Sequence, residues 1–348
     1  MKLWGDGVME YWAESRNPTL QHSNTPSSSR SLIFAMSTTG DHSPLAAELR
    51  KISGLKVKMA EPLARYTSMK VGGSADYFLE VENEAALAEL VRVLNGHQES
   101  FWLLGNGSNV LISDRGVRGA ILRLTGEFKK IQFEEMAGMA KVTAGAAVSI
   151  GQLARDTARR GYAGLEFAEG IPGSVGGALY MNAGAYGSEL EQVVDQVELM
   201  TARGEPLCLT RGEMTFSYRD AHLPSGAVVM RVRMGLRKEE PAQVSARLRE
   251  LARKRKASQP SGSPNSGSMF RNPPGDYAGR LIDAAGLKGT RIGACQISER
   301  HGNFIVNQGG AKAAEVRQLM ELAKSEVRKK FGIELVAEVK LLGDWQSQ

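Results

Sequence analysis

Between Glu169 and Gly187 the chain reads EGIPGSVGGALYMNAGAYG, six glycines in nineteen residues. No other stretch restricts the possible folds so much. Glycine loses more conformational freedom on folding than any other residue, so such a density is tolerated where the backbone itself must lie against something flat or charged. A flexible surface loop is the plainer reading. Against it stand Ile171, Val175, Leu179 and Met181, apolar residues that call for burial. Small residues and hydrogen-bond donors against an apolar wall suit an isoalloxazine ring and its diphosphate.

A shorter stretch, GNGSNVLISD, follows the predicted strand FWLLG. Backbone amides at Gly105 and Gly107 can approach a phosphate without a Cβ in the way, and Ser108 and Asn109 add side-chain donors. Only G-x-G is present and no long helix follows, so this is not the dinucleotide fingerprint of a Rossmann fold. A plain turn at the end of a strand explains it equally well.

The surrounding pattern alternates strand and helix. DYFLEVE reads as a strand, NEAALAELVRVLN as an amphipathic helix, and GAILRL and KVTAG as further strands. SIGQLARDTARR reads as a helix ending at Gly161, VDQVELMTARGEPLCLT as a hairpin turning near Arg203 and Gly204, and AVVMRVRMGL as a strand. KEEPAQVSARLRELARKRKA is a charged helix with Pro241 near its start. Beyond the linker-like SQPSGSPNSGS come a helix YAGRLIDAAG, a long helix ending at Gly332, and IELVAEVKLLG. This last segment is predicted as one strand, with Ile333, Leu335, Ala337, Val339 and Leu341 on one face and Glu334, Val336, Glu338 and Lys340 on the other.

The first 35 residues, rich in Asn, Ser, Thr and Pro, lack this periodicity and read as a disordered extension or as translation from an upstream start, with Met36 the expected true start. The expected division is 36–125, 126–238 and 239–345. No apolar run approaches the length of a bilayer span, so no membrane segment is expected. Cys208 and Cys295 are the only cysteines, which excludes a disulfide framework and fits a reducing compartment; the five histidines have no metal-ligand spacing. A net charge of +6 suits a phosphate-rich ligand without demanding one.

In NSGSMFRNP, Ser268 has no histidine nearby and no G-x-S-x-G frame, so the bland reading is a turn hydroxyl. Four phrases add chemistry: FSYRDAHL carries Arg219, the segment around Ser268 carries Lys256, Arg271 and Asn272, GLKGTRIGACQISERHGNF carries Lys288 and His301, and the last strand carries Glu338. Each has a plain alternative as a solvated helix end, loop tip or surface ion pair.

Together YTSMKVGGSADYF, GNGSNVL, EGIPGSVGGALYMNAGAYG, SYRD, QPSGSPNSGSMFRNP, GLKGTRIG and AEVKLLG, in this order from Tyr66 to Gly343, resemble the UDP-N-acetylenolpyruvoylglucosamine reductase family. Departures are small: Arg271 stands where lysine is common and Gly302 where alanine is common. The resemblance implies an α+β chain, with a two-subdomain FAD-binding fold of the vanillyl-alcohol-oxidase/PCMH type followed by an α+β substrate-binding domain. It implies FAD as cofactor, NADPH as hydride donor, and UDP-N-acetylglucosamine enolpyruvate as acceptor, in a cytoplasmic enzyme expected to be a monomer without nucleic-acid partners.

The resemblance also distributes roles. Ser268 would be the proton donor, with Arg219 and Glu338 beside the reacting carbons. FAD would be lined by Thr67 and Val71, by Gly105, Asn106, Gly107, Ser108 and Asn109, and by Ile171, Pro172, Gly173, Ser174, Gly177, Asn182 and Gly184. Lys256, Arg271, Asn272, Lys288 and His301 would line the UDP-sugar site. Without a base, serine is a poor nucleophile, yet it is a usable acid toward a strongly basic carbon. Two other readings stand beside this one: a flavin oxidase or dehydrogenase of the same fold acting on another substrate, and a basic nucleic-acid-binding protein suggested by RLRELARKRK.

Overall fold

The computed structural model describes residues 43–345, so the expectations for residues 1–35 and for Met36 lie outside it. Ser43 accepts from Ala46 N at 3.0 Å and Pro44 occupies the first turn of α1 (Pro44–Leu49). The strand β1 (Leu55–Pro62) pairs antiparallel with β2 (Ser74–Val81). Its Lys and Glu content hides it in the sequence, because only one of its eight residues is buried. Asn83 caps α2 (Glu84–Gly96), which leads to β3 (Phe101–Leu103), β4 (Val110–Ile112) and β5 (Val117–Leu124). The first sheet has the order β1-β2-β5-β3, with β5 parallel to both neighbours.

The second sheet is antiparallel. β6 (Ile131–Met136) and β7 (Met139–Gly145) form one edge, followed by α3 (Ile150–Arg159) with Ser149 as its cap, the short β8 (Tyr162–Ala163) and α4 (Val175–Tyr180). A small hairpin of β9 (Gly184–Ala185) and β10 (Ser188–Glu189) precedes β11 (Val194–Met200), β12 (Pro206–Thr210) and the long β13 (Val228–Lys238). The order is β12-β11-β13-β7-β6, with β8 also on β13.

The helix α5 (Pro241–Ser258) buries Val244 and Leu248 in the same core as both sheets. The division expected at 238/239 therefore cuts α5 from the core on which it packs, and packing places that boundary near residue 259. The third unit comprises α6 (Ala278–Ala284), the small sheet β14 (Arg291–Ile292), β15 (Cys295–Ile297) and β16 (Ile305–Asn307), then α7 (Ala313–Phe331) and β17 (Lys340–Leu342). Gly332 ends α7 at φ 69°, as a left-handed cap should.

The continuous strand expected from Ile333 does not form. Only Lys340–Leu342 is a strand, paired in parallel with β4, and Ala337 makes an isolated bridge to Phe270. The alternation slips: Leu335 and Val339 are buried, but next comes Leu342 rather than Leu341, which is 40% exposed. The segment changes partner, from Met269 and Arg271 to Asn109 and Val110, and its faces turn with it. This change delivers Glu338 to the junction between the first glycine turn and the third unit.

Candidate active site

Both glycine-rich stretches meet at one cavity of about 340 Å³. The first glycine turn supplies Gly105 to Asn109, and the second stretch supplies Ile171, Pro172, Gly173, Ser174, Gly177 and Gly184. The two turns interlock. A Cβ on Gly105 would lie 2.7 Å from Ser174 Oγ, and one on Gly173 3.1 Å from Ser108 Oγ. A side chain at Gly105 would displace Ser174, and Gly173 stands at φ 138°, so backbone forms this part of the wall. Leu103, Leu104, Leu223 and Val228 add apolar surface. A long, largely apolar slot edged by glycine amides fits a flat ring with a diphosphate tail.

Of the expected polar residues, Ser108, Asn109 and Ser174 line this cavity and also bond to protein. Ser108 donates to Pro172 O at 2.9 Å and Asn109 Nδ2 to Glu338 O at 3.2 Å, so both act as struts between cavity-lining segments. Ser174 accepts from Gly177 N at 3.3 Å and starts α4, a helical turn that glycine content conceals in the sequence. Asn182 is fully buried away from the cavity, donating to Glu189 and Ser217 and accepting from Glu191 N. Val71 is 2% exposed and packs in the third unit's core. Thr67 donates to Ala64 O and Val71 O and borders a second, adjoining cavity of about 840 Å³.

Arg219, Ser268 and Glu338, distant in sequence, all line the first cavity. Arg219 sits in a two-residue turn closed by Ser217 N to Asp220 O at 2.9 Å, with φ 63°. Asn182 Nδ2 on Ser217 O ties that turn to the second glycine stretch. The guanidinium donates from Nη2 to Gly184 O at 3.2 Å and its Nε lies 3.2 Å from Glu338 Oε1, leaving Nη1 for another anion. Burial pushes the Glu338 carboxyl above its ordinary value, against the opposing pull of Arg219 and then Arg271.

Ser268 is set by its neighbours. Gly267 adopts φ 73° under an Asn265 side chain that accepts its N–H at 3.1 Å. Ser268 then bridges Phe304, while Met269 N donates to Asn303 O at 2.8 Å. The buried Asn303 amide grips Phe270 from both sides, accepting from its N at 2.9 Å and donating to its O at 2.7 Å. Glu338 N donates to Met269 O at 2.8 Å on the other flank.

Of the five expected substrate contacts, only Lys256 lines either of these two cavities, the second one. Asn272 Oδ1 accepts Ala278 N at 3.1 Å and so supports the start of α6. Lys288 pairs with Asp283 at 2.6 Å, and His301 accepts Asn303 N while its ring edges onto Phe304. Arg271 borders neither cavity; its buried Nε has no hydrogen-bond partner among the described residues, and its charge acts on Glu338 and Lys340.

Two cations that the sequence reading did not select are central. Arg123 and Arg255 line both cavities at their junction, together with Phe304 and Gln259. A signal for Arg255 was available: Val244, Leu248, Leu251 and Arg255 follow helical spacing, so Arg255 continues the inward stripe of α5 and Lys256 does not.

The family model described as UDP-N-acetylenolpyruvoylglucosamine reductase, C-terminal domain, matches residues 259–342, and one described as an FAD binding domain matches residues 75–210. UDP-N-acetylenolpyruvoylglucosamine reductase 2 of Symbiobacterium thermophilum is 45% identical over 304 residues, covering 86% of this chain and 97% of the relative. The corresponding reductase of Bacillus velezensis is 38% identical over 298 residues, 85% of this chain and 97% of the relative. The crystal structure of UDP-N-acetylenolpyruvylglucosamine reductase from Thermus caldophilus matches with a TM-score of 0.71 at 37% identity, covering 83% of this chain and 99% of that one.

Proposed function

The chain belongs to the UDP-N-acetylenolpyruvoylglucosamine reductase family, and from that premise we propose how its residues divide the work of reducing UDP-N-acetylglucosamine enolpyruvate, a step in peptidoglycan precursor synthesis. Bound FAD supplies the chemistry of accepting a hydride from NADPH and passing it to the enolpyruvyl group. The glycine turns and the apolar residues between them would hold that cofactor, in the cavity that Arg219, Ser268 and Glu338 also line.

The acceptor is an enol ether bearing a carboxylate. Hydride addition at its terminal carbon places negative charge on the adjacent carbon and on the carboxylate. Arg219 faces that charge with Nη1, while Gly184 O and Glu338 hold its other donors in place. A fixed donor of this kind is worth roughly 3 kcal/mol in the transition state. Glu338 therefore acts chiefly by orienting Arg219, whose Nε lies 3.2 Å from its Oε1. Ser268 then donates a proton to the substrate carbon. Arg123 and Arg255, at the junction of the cavities, serve the substrate diphosphate as directional cations. We place this reaction in the cytoplasm, with the enzyme acting as a monomer; no helix among the described residues is long and apolar enough to cross a membrane.

The convergence of Arg219, Ser268 and Glu338 on the cavity framed by both glycine turns carries this reading. Stopped-flow spectroscopy of Ser268→Ala tests it. Reduction of FAD by NADPH should stay near the wild-type rate, while reoxidation by the enolpyruvyl substrate should slow by about 10²–10⁴-fold. A mutant slowed in the first half-reaction and normal in the second would contradict the assignment.

A further inference from the structure

Arg219 reaches the cavity from an unfavourable piece of backbone. It stands at φ 63°, and His222, in the same turn, stands at φ 42°. Both lie in the left-handed region, which costs an L-residue free energy and persists only where surrounding contacts over-determine it. The inner side of the turn has such contacts. Asn182 Nδ2 donates to Ser217 O at 3.3 Å, and the buried Ala221 donates its N–H to Tyr180 O at 3.2 Å.

The outer side faces solvent, and there one side chain joins the two ends of the turn. The His222 ring meets Ser217 Oγ through Nε2 at 2.8 Å, across the chain from Tyr218 to Ala221. The Asp220 carboxylate accepts from His222 N at 2.7 Å and lies 3.9 Å from the other ring nitrogen, Nδ1. Ser217 and Asp220 also exchange both backbone bonds, at 2.9 and 3.1 Å. Arg219 thus projects from a closed loop whose outer link is the bond between His222 and Ser217. His222 itself is exposed and lines neither cavity, so it has no direct part in the reaction proposed above.

Building on the role proposed for Arg219, we propose that His222 is a positioning residue of the reductase: its bond to Ser217 Oγ holds the turn so that Arg219 Nη1 meets the charge developing on the substrate carboxylate. A donor that must first be reoriented loses part of its advantage as that charge forms, so preorganisation acts on the transition state more than on binding. Loss of the clasp therefore falls on the half-reaction in which the enolpyruvyl group takes hydride, and not on reduction of the flavin by NADPH.

Stopped-flow spectroscopy of both half-reactions tests this in FAD-loaded wild type, His222→Ala, Ser217→Ala, the double variant, His222→Gln and Arg219→Met. The rate constant of flavin reoxidation at saturating UDP-N-acetylglucosamine enolpyruvate should fall about 3–10-fold in His222→Ala and equally in Ser217→Ala, the loss expected of one hydrogen bond. The half-saturating substrate concentration and the urea midpoint should not change. The double variant should be no slower than either single one, because each already removes the same bond. His222→Gln should recover most of the rate, since its amide nitrogen lies as many bonds from the backbone as imidazole Nε2. Wild-type reoxidation in His222→Ala beside a slow Arg219→Met overturns the proposal. So do losses that multiply in the double variant, or an equal slowing of both half-reactions, which would assign His222 to general structure. Wild-type reoxidation in Arg219→Met would instead remove the reading of Arg219, and this inference with it.

Discussion

Asn303→Ala perturbs the site through its scaffold rather than its chemistry. The Asn303 side chain is 3% exposed and makes two hydrogen bonds to one residue, accepting from Phe270 N at 2.9 Å and donating to Phe270 O at 2.7 Å. Phe270 is itself 2% exposed, so water does not replace those bonds. Each orphaned backbone group costs about 1–3 kcal/mol, which places the loss at roughly 2–6 kcal/mol. Hydrogen exchange in peptides covering Met269–Arg271 reads this directly. A loss near 3 kcal/mol corresponds to about a hundredfold drop in protection. Asn303→Asp sets a buried carboxylate oxygen against Phe270 O, so its loss of protection should be at least as large as that of alanine. Because the same segment fixes Ser268, substrate-driven reoxidation of the flavin should slow while NADPH-driven reduction changes little. Protection within a factor of about three of wild type in the alanine variant would refute the view that this amide grips the segment.

Other perturbations have equally definite outcomes. Arg231 reaches Glu198 at 2.6 Å, Glu84 at 3.1 Å and Glu127 at 3.3 Å, so Arg231→Met leaves three facing carboxylates without their shared cation and should destabilise the protein by roughly 1–3 kcal/mol in urea unfolding; an unchanged midpoint would contradict it. Burial, reinforced by the Lys288 charge, holds the His301 imidazole below its ordinary value of 6.5. The folded state thus resists this proton: the contribution of His301 is intact above about pH 6.5 and lost as pH falls below it. His301→Gln should therefore flatten the decline in stability below pH 6.5, and an unchanged decline would count against the burial argument. Burial also pushes the Cys295 thiol up to about 12, whereas Cys208 is exposed, so iodoacetamide should label only Cys208 in the native protein and both after unfolding. Labelling of Cys295 without unfolding would show that its core opens.

The sequence reading succeeded where one local pattern decides the outcome. Asn83, Ser149 and Gly332 bound their helices as their side chains and backbone dictate, and the hairpin turning near Arg203 and Gly204 forms as β11 and β12. It failed where tertiary partners override that pattern. Alternation from Ile333 to Leu341 suggested one strand, yet the segment exchanges partners midway and buries Leu342. Tertiary partners of the polar residues beside the glycines were equally illegible: Ser108 and Asn109 line the cavity while donating to Pro172 O and Glu338 O, and Asn182 donates to Glu189 and Ser217. The three residues proposed for chemistry do meet at one cavity, which no local spacing could have predicted; the ordered motifs carried that expectation. Arg255 was missed because a basic run hides helical phase until its apolar neighbours are counted.

The most direct measurement is an anaerobic visible spectrum of the FAD-loaded protein, reduced with one equivalent of NADPH and then mixed with UDP-N-acetylglucosamine enolpyruvate. The expected result is bleaching of the flavin band by NADPH and its full return on addition of the substrate, with UDP-N-acetylmuramate formed in equal amount. A band that bleaches and stays bleached in the presence of that substrate would contradict the proposed roles of Arg219 and Ser268.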